Sequence, residues 1–263
     1  MVKRIFVVSS ILLLAACSTV PLTGRKQVNL LPESEMIAMG FSNYSEFKKE
    51  AAISTSTGSK ELLATVGANI SRAVTDYFAS NNLSSRLNGY EWEFTLFADE
   101  TPNAWAMPGG KIAVYEGILP YTKDADGLAV VVGHEIAHIV ARHGNERMSH
   151  QLVAQMGGIA LNEALGSKPE ETRAIFNTVY GLGAQFGGIL PYSREHEKEA
   201  DKLGLIFMAM AGYNPESAID FWERMSSSSD SGPPEFLSTH PSDATRIAEM
   251  KKFLSEAMEY YRQ

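Results

Sequence analysis

Leu128-Ala129-Val130-Val131-Val132-Gly133-His134-Glu135-Ile136-Ala137-His138-Ile139-Val140-Ala141-Arg142 is the stretch on which the reading of this chain turns. It is apolar almost all round, which predicts a buried helix. Inside it stands His-Glu-x-x-His. Two histidines four apart lie one turn apart on the same helix face, so both imidazoles can reach one Zn²⁺ at about 2.0–2.1 Å. Glu135 lies about 100° round the helix from His134. That is beside such an ion rather than on it, where a carboxylate serves as general base towards water. The neighbours Leu128–Val132, Ile136, Ile139 and Val140 supply dry surroundings. Continued as one helix, the run carries His143 about 180° from His134, which excludes it from the metal set. Arg142 and His143 then read as polar contacts at the helix end.

A catalytic ion needs a third protein ligand and one open position. The acidic run Arg194-Glu195-His196-Glu197-Lys198-Glu199-Ala200-Asp201 offers several carboxylates. Read as a helix, Glu197, Ala200, Asp201, Gly204 and Met208 share one stripe, while Glu195 and Glu199 point about 160° away from Glu197. Glu197 is therefore the expected third ligand. Ala200 and Gly204 would let this helix approach the histidine helix closely. Asp201, one turn after Glu197, is placed to accept the spare ring N–H of a ligand histidine and fix its tautomer. Glu195, Lys198 and Lys202 read as a solvated face, and His150 and His196 as surface or structural residues. His240, in Ser238-Thr239-His240-Pro241, is held extended by the following proline, which suits a side chain presented from a loop into a cleft. Two roles stay open for it. It donates a hydrogen bond to the oxyanion of a tetrahedral intermediate, or its neutral ring takes the fourth metal position as a latch.

Around these segments the periodicity predicts an α+β fold, mainly helical, with a small β-sheet beside the histidine helix. Pro32-Glu33-Ser34-Glu35 opens a helix with Met36, Ile37, Gly40, Phe41, Tyr44 and Phe47 at helical spacing, and Lys60–Phe78 forms a second. Asn81–Gly89 reads as a loop. Trp92, Phe94 and Leu96 alternate with polar residues as in a strand. Asn103–Met107 and Lys111–Tyr115 flank the turn signal Pro108-Gly109-Gly110. Residues 145–192 read as helical and Gly-rich. The uncharged run Ala174–Tyr192 is taken as a cover on the core rather than a membrane element, given Asn177, Gln185 and four glycines. Ser193–Ala211 and Glu216–Met225 are helices, the second opened by Asn214-Pro215. Ser226–Pro234 is a Ser/Gly/Pro loop, and Ser242 or Asp243 caps a last helix reaching about Tyr261.

The chain has 263 residues, 23 basic against 31 acidic, for a net charge of −8. A sequence pI near 5.3 leaves no electrostatic footprint for nucleic acid, so none is expected as a partner. A single cysteine rules out an intrachain disulfide and a Cys-cluster metal site. That cysteine ends Leu14-Ala15-Ala16-Cys17, after a basic start at Lys3 and Arg4 and an apolar run, Ile5 to Ala16, too short to span a bilayer. The pattern resembles a bacterial lipobox. Residues 1–16 are then a signal peptide, Cys17 is the lipidated residue, and residues 17–30 form a tether with Pro21 and Gly24. Ser18, rather than Asp, resembles sorting to the outer membrane. The expected location is periplasmic, lipid-anchored to the inner leaflet of the outer membrane.

His134–His143, Ser193-Arg194 leading to Glu197-x-x-Ala200-Asp201, Thr239-His240-Pro241 with Arg246, and Asn103-Ala104-Trp105-Ala106-Met107-Pro108-Gly109-Gly110 together resemble the gluzincin zinc metallopeptidases of the HtpX and CAAX prenyl protease type. The resemblance covers about residues 30–255, and with the lipobox it is nearest to the periplasmic lipoprotein branch, of the LoiP, YcaL and BepA kind. The transmembrane helices of the HtpX branch and the tetratricopeptide region of BepA-like members have no counterpart in this sequence. The resemblance implies a zincin-type metallopeptidase domain over residues 31–263, one Zn²⁺ per chain on His134, His138 and Glu197, and Glu135 as general base. It also implies protein or peptide substrates among misfolded or misassembled cell-envelope proteins, outer-membrane ones in particular. The substrate is expected to add as an extended strand at Asn103, Ala104 and Trp105. The competing reading is a lipid-anchored chaperone or assembly factor for outer-membrane proteins, with a structural or idle metal. Glu135 separates the two, because a structural zinc site needs no carboxylate there.

Overall fold

Chain order sets out the architecture of this computed structural model, which describes residues 17–153, 169–180, 193–227, 235–240 and 244–261. A hairpin of β1 (Cys17–Thr19) and β2 (Lys26–Val28) leads into α1 (Glu33–Glu50) and α2 (Thr57–Ser80). Three strands follow, β3 (Glu93–Phe97), β4 (Ala104–Met107) and β5 (Lys111–Tyr115). Then come α3 (Ala125–Val140), α4 (residues 143–153), α5 (Pro169–Tyr180), α6 (Arg194–Met210), α7 (Ser217–Ser227), the short α8 (Glu235–Thr239) and α9 (Ala244–Tyr261). The fold is thus α+β and mainly helical. The expected signal peptide, the cap at Ser242 or Asp243, and most of the Gly-rich 145–192 and Ser/Gly/Pro 226–234 stretches lie outside the described residues. Among the described residues no helix is long and apolar enough to cross a membrane.

Helix α3 forms because Asp124 caps it, accepting from the Gly127 amide at 2.9 Å. Every residue from Gly127 to Val140 is buried. The helix stops two residues short of the expected Arg142. There Arg142 takes a left-handed backbone with φ of 58°, a conformation that ends a helix and redirects the chain. His143 therefore opens a new helix instead of continuing α3.

Helix α6 is capped by Ser193, whose hydroxyl accepts from the His196 amide at 3.1 Å. It crosses α3 at two glycines. A Cβ on Gly133 would lie 2.9 Å from the Gly204 carbonyl oxygen, and one on Gly204 would lie 3.0 Å from the His134 nitrogen. The two backbones are in contact, as the small-residue stripe of α6 predicts.

The strands form one sheet in the order β3-β5-β4, with β3 parallel and β4 antiparallel to β5. Register pairs Phe94 with Ile112 and Trp105 with Ala113. Gly109 and Gly110 make the β4–β5 turn at φ of 88° and 93°, backbone that suits glycine. The main core runs between α2, the inner face of the sheet, α3, α6, α7 and α9. On the other sheet face, Tyr44 and Phe47 of α1 pack on Phe97, Met107, Ala113 and Tyr115. Strand β4 is an edge of this sheet, next to the histidine helix.

The N-terminal segment departs from the expected tether. Cys17 pairs with Val28 across the hairpin, and Val20 is fully buried in the main core. The Leu30 amide donates to the Ser149 hydroxyl at 2.9 Å, and Asn145 Nδ2 donates to the Leu31 carbonyl at 2.9 Å. Pro21 and Gly24 are turn residues of a docked hairpin, not the signature of a loose linker.

Candidate metal centre

Four buried donors converge between α3, α6 and the residue after α8. Ligand atoms of His134, His138, Glu197 and His240 all lie within 4.8 Å of one another. His134 Nε2 is 3.0 Å from His138 Nε2 and 3.2 Å from His240 Nδ1. Glu197 Oε1 is 3.3 Å from His138 Nε2 and 3.1 Å from His240 Nδ1. The helical spacing of His134 and His138 and the α6 stripe produce this, with the two-glycine crossing setting the gap.

The outward nitrogens of the two α3 histidines are already engaged. His134 Nδ1 lies 3.1 Å from Asp201 Oδ1, a placement that favours the tautomer with its proton on Nδ1 and Nε2 bare towards a cation. His138 Nδ1 lies 2.9 Å from His143 Nδ1. Two Nε2 atoms 3.0 Å apart, with Glu197 Oε1 3.3 Å from that of His138, suit a cation among them. Nitrogen and oxygen donors in this number suit zinc. The residues present fit the ion.

Arg246, on α9, organises the carboxylates. Its Nε and Nη2 hold Asp201 at 2.5 and 2.8 Å, and Nη1 reaches Glu197 Oε2 at 2.7 Å and donates to the His240 carbonyl at 3.2 Å. Its guanidinium stacks 3.9 Å above the Trp222 ring. Burial alone would push Glu197 and Asp201 up, but Arg246, with the neighbouring histidines, holds both below the ordinary carboxylate range. One oxygen of Glu197 is thereby taken by arginine and the other is left for the metal.

Glu135 is buried against this group, its Oε1 3.3 Å from His240 Nε2. His240 is the residue whose placement is more specific than the sequence allowed. Its Nδ1 stands among the ligand atoms and its Nε2 faces the general-base candidate. Burial favours its neutral ring, but the charges of Glu197 and Glu135 outweigh this and raise it to about 9. Burial drives His138 well below its ordinary value.

The expected substrate residues are turned into the fold. Asn103 is buried, its Oδ1 accepting from the Ala104 amide at 2.9 Å and its carbonyl accepting from the Tyr115 amide at 3.0 Å. Trp105 donates to the Tyr115 hydroxyl at 3.2 Å and packs edge-on against Phe47. Ala104 is fully buried. What this strand can offer a peptide is its main chain. A small pocket beside His138 is lined farther along, by Ala106, Met107 and Pro108 with Glu33, Met36 and Arg142.

Sequence reasoning gave Arg246 no role. One signal could have found it: two buried carboxylates one turn apart on α6 require more positive charge than a single ion shared with Glu197 supplies. It also missed the surroundings of Glu199. That side chain does point away from the metal, but it is buried and accepts from His143 Nε2 and Arg25 Nε at 2.9 and 2.7 Å. His196, expected at the surface or in a structural place, is the latter: buried, with Nε2 2.9 Å from Glu146 Oε2.

Comparison with known proteins agrees with this arrangement. The chain is 38% identical over 175 residues to mitochondrial metalloendopeptidase OMA1 of Schizosaccharomyces pombe, covering 66% of this chain and 50% of that protein. Its Saccharomyces cerevisiae counterpart is 38% identical over 190 residues, 68% and 52% of the two chains. The beta-barrel assembly-enhancing protease of Escherichia coli K12 is 28% identical over 169 residues, 61% and 34%. The chain thus spans about half the length, or less, of these relatives. The model of Peptidase family M48 matches residues 66–254, which takes in α3, α6 and every donor of the centre, and the chain belongs to that family.

Proposed function

We propose that this chain is a zinc-dependent endopeptidase that hydrolyses misfolded or misassembled cell-envelope proteins, held in the periplasm by a lipid on Cys17. One observation carries the hydrolytic part: a buried carboxylate that is not a ligand, Glu135, lies against a converged His-His-Glu donor set. A binding module with a structural metal has no use for it. The bound ion would supply Lewis-acid polarisation of the scissile carbonyl and acidify water. His134, His138 and Glu197 hold it. Glu135 takes a proton from the attacking water on a carboxylate oxygen and returns it to the leaving amine. The main chain of β4 aligns an extended peptide, which favours breadth over side-chain specificity.

Envelope substrates are supported by the name of the Escherichia coli relative, which refers to beta-barrel assembly. The more similar relatives are named as mitochondrial, so the compartment rests on Leu14-Ala15-Ala16-Cys17 alone. The test is hydrolysis of casein by the full chain, with and without chelator, beside Glu135→Gln. Chelator-sensitive cleavage that Glu135→Gln abolishes while retaining zinc is expected. Cleavage that survives the substitution, or a variant that no longer holds zinc, would overturn the assignment.

A further inference from the structure

Both α3 histidines are backed by a carboxylate that an arginine holds, but only one arrangement is short. His134 reaches Asp201 directly, and Arg246 clamps Asp201. Behind His138 the chain is longer and runs His138 Nδ1, His143 Nδ1 at 2.9 Å, then His143 Nε2 to Glu199 Oε2 at 2.9 Å, then Glu199 Oε2 to Arg25 Nε at 2.7 Å. The Thr23 hydroxyl also donates to Glu199. Thr23 and Arg25 belong to the turn of the N-terminal hairpin. We infer that this hairpin is part of the metal centre: Arg25 and Glu199, acting through His143, are positioning residues that set the tautomer of the ligand His138.

The argument is one of donors and acceptors. An ionised carboxylate only accepts. Glu199 faces three donors, Arg25 Nε in an ion pair, the Thr23 hydroxyl and a ring nitrogen of His143, the surroundings of a carboxylate. His143 Nε2 must then carry the proton it donates to Glu199. Only one hydrogen fits between the two Nδ1 atoms at 2.9 Å, and with the proton of its ring placed on Nε2, His143 accepts there. The hydrogen between the two Nδ1 atoms therefore belongs to His138, and His138 Nε2 is bare towards the ion. A second arm closes the cluster without touching a ligand. Arg25 Nη1 and Nη2 fork onto Glu146 at 2.9 and 2.7 Å, Glu146 takes His196 Nε2 at 2.9 Å, and His196 stacks on His143 with centroids 4.5 Å apart. Glu146 and Glu199 are thus matched partners of one arginine, and only one of them leads to the metal.

That pairing gives the test. It rests on the metallopeptidase reading and is measured on the full chain by zinc affinity, through competition with a chelating dye, and by unfolding of the chelator-treated protein. Glu199→Gln is expected to weaken zinc binding by about 10–100-fold, the usual size of an effect one shell out from the ion. Glu146→Gln is expected to lower the unfolding temperature as much but to weaken zinc binding less, because Arg25 Nε still holds Glu199. Arg25→Ala should weaken zinc binding and Arg25→Lys, which keeps charge beside Glu199, should restore part of it; this pair also serves should Glu199→Gln fail to fold. Equal zinc affinity in Glu199→Gln and wild type, or equal losses in Glu199→Gln and Glu146→Gln, would overturn the inference and leave a structural clamp. A wild-type chain that binds no zinc would overturn the metallopeptidase reading with it.

Discussion

Arg246 is the residue on which most of the centre's charge depends. It touches the ligand carboxylate, the carboxylate behind His134 and the carbonyl of His240, and it is itself buried. Removing one partner of a buried ionic group leaves the others uncompensated, at about 3–5 kcal/mol. Arg246→Ala is accordingly expected to lower the unfolding free energy of the chelator-treated chain by about that much, measured by denaturant titration. A value within error of wild type would mean that water reaches Asp201. His240 carries a prediction with a sign. With Nδ1 among the donors and Nε2 facing Glu135, its geometry matches the latch of the two roles left open by the sequence, a cation there taking the place of the proton that the two carboxylates favour on the ring. His240→Ala should therefore raise basal casein hydrolysis. A fall in turnover of about 10²–10³-fold would make it the oxyanion donor instead. At this scale the sequence was informative wherever helix geometry alone does the sorting. His134, Glu135, His138, Glu197 and Asp201 follow from positions along two helices. Arg246 and Glu199 do not, because their partners lie 45 and 174 residues away in the chain.

At the scale of elements, the crossing of α3 and α6 decides whether ligands on separate helices meet. Gly133 and Gly204 face each other with backbone against backbone. A methyl group at Gly204 would press on the His134 nitrogen, which belongs to a helix and cannot swing aside. Overpacking of this kind costs about 1–3 kcal/mol, so Gly204→Ala should lower thermal stability and weaken zinc binding together. Wild-type affinity in that variant would show that the crossing tolerates a wider gap. The α6 stripe was readable because a small residue on a buried face has few other uses. The end of α3 was not. Gly144 carries the better stop signal, yet the left-handed residue is Arg142, and the chain turns before His143. The 180° separation from His134 was sound for an unbroken helix. The break brings His143 back onto His138 without making it a ligand.

For the whole molecule, the hairpin of β1 and β2 changes what the first described residues are. Proline, glycine and two basic residues read as linker chemistry, because a turn and a tether share composition and differ only in what they dock against. Here Arg25 docks on Glu146 and Glu199. Burial pushes Glu146 up, but the hydrogen bonds from His196 and Arg25 prevail and bring it down to about 2. A lowered carboxylate stabilises the fold fully above its ordinary value of 4.5, and that contribution fades as pH falls from 4.5 towards 2. The gap in melting temperature between wild type and Arg25→Ala, both chelator-treated, should be widest above pH 4.5 and close towards pH 2. A gap that stays constant over that range would remove Glu146 from the clamp. The docking also bears on where such an enzyme can work. Cys17 is the first residue of β1 and pairs with Val28, so an acyl group there would leave no slack between a bilayer and the folded domain. The folded domain would then stay within a short reach of the lipid surface, like a dog on a short lead rather than a long one. Which polypeptides it meets would then be decided by how far they protrude from that surface, before any side chain is recognised.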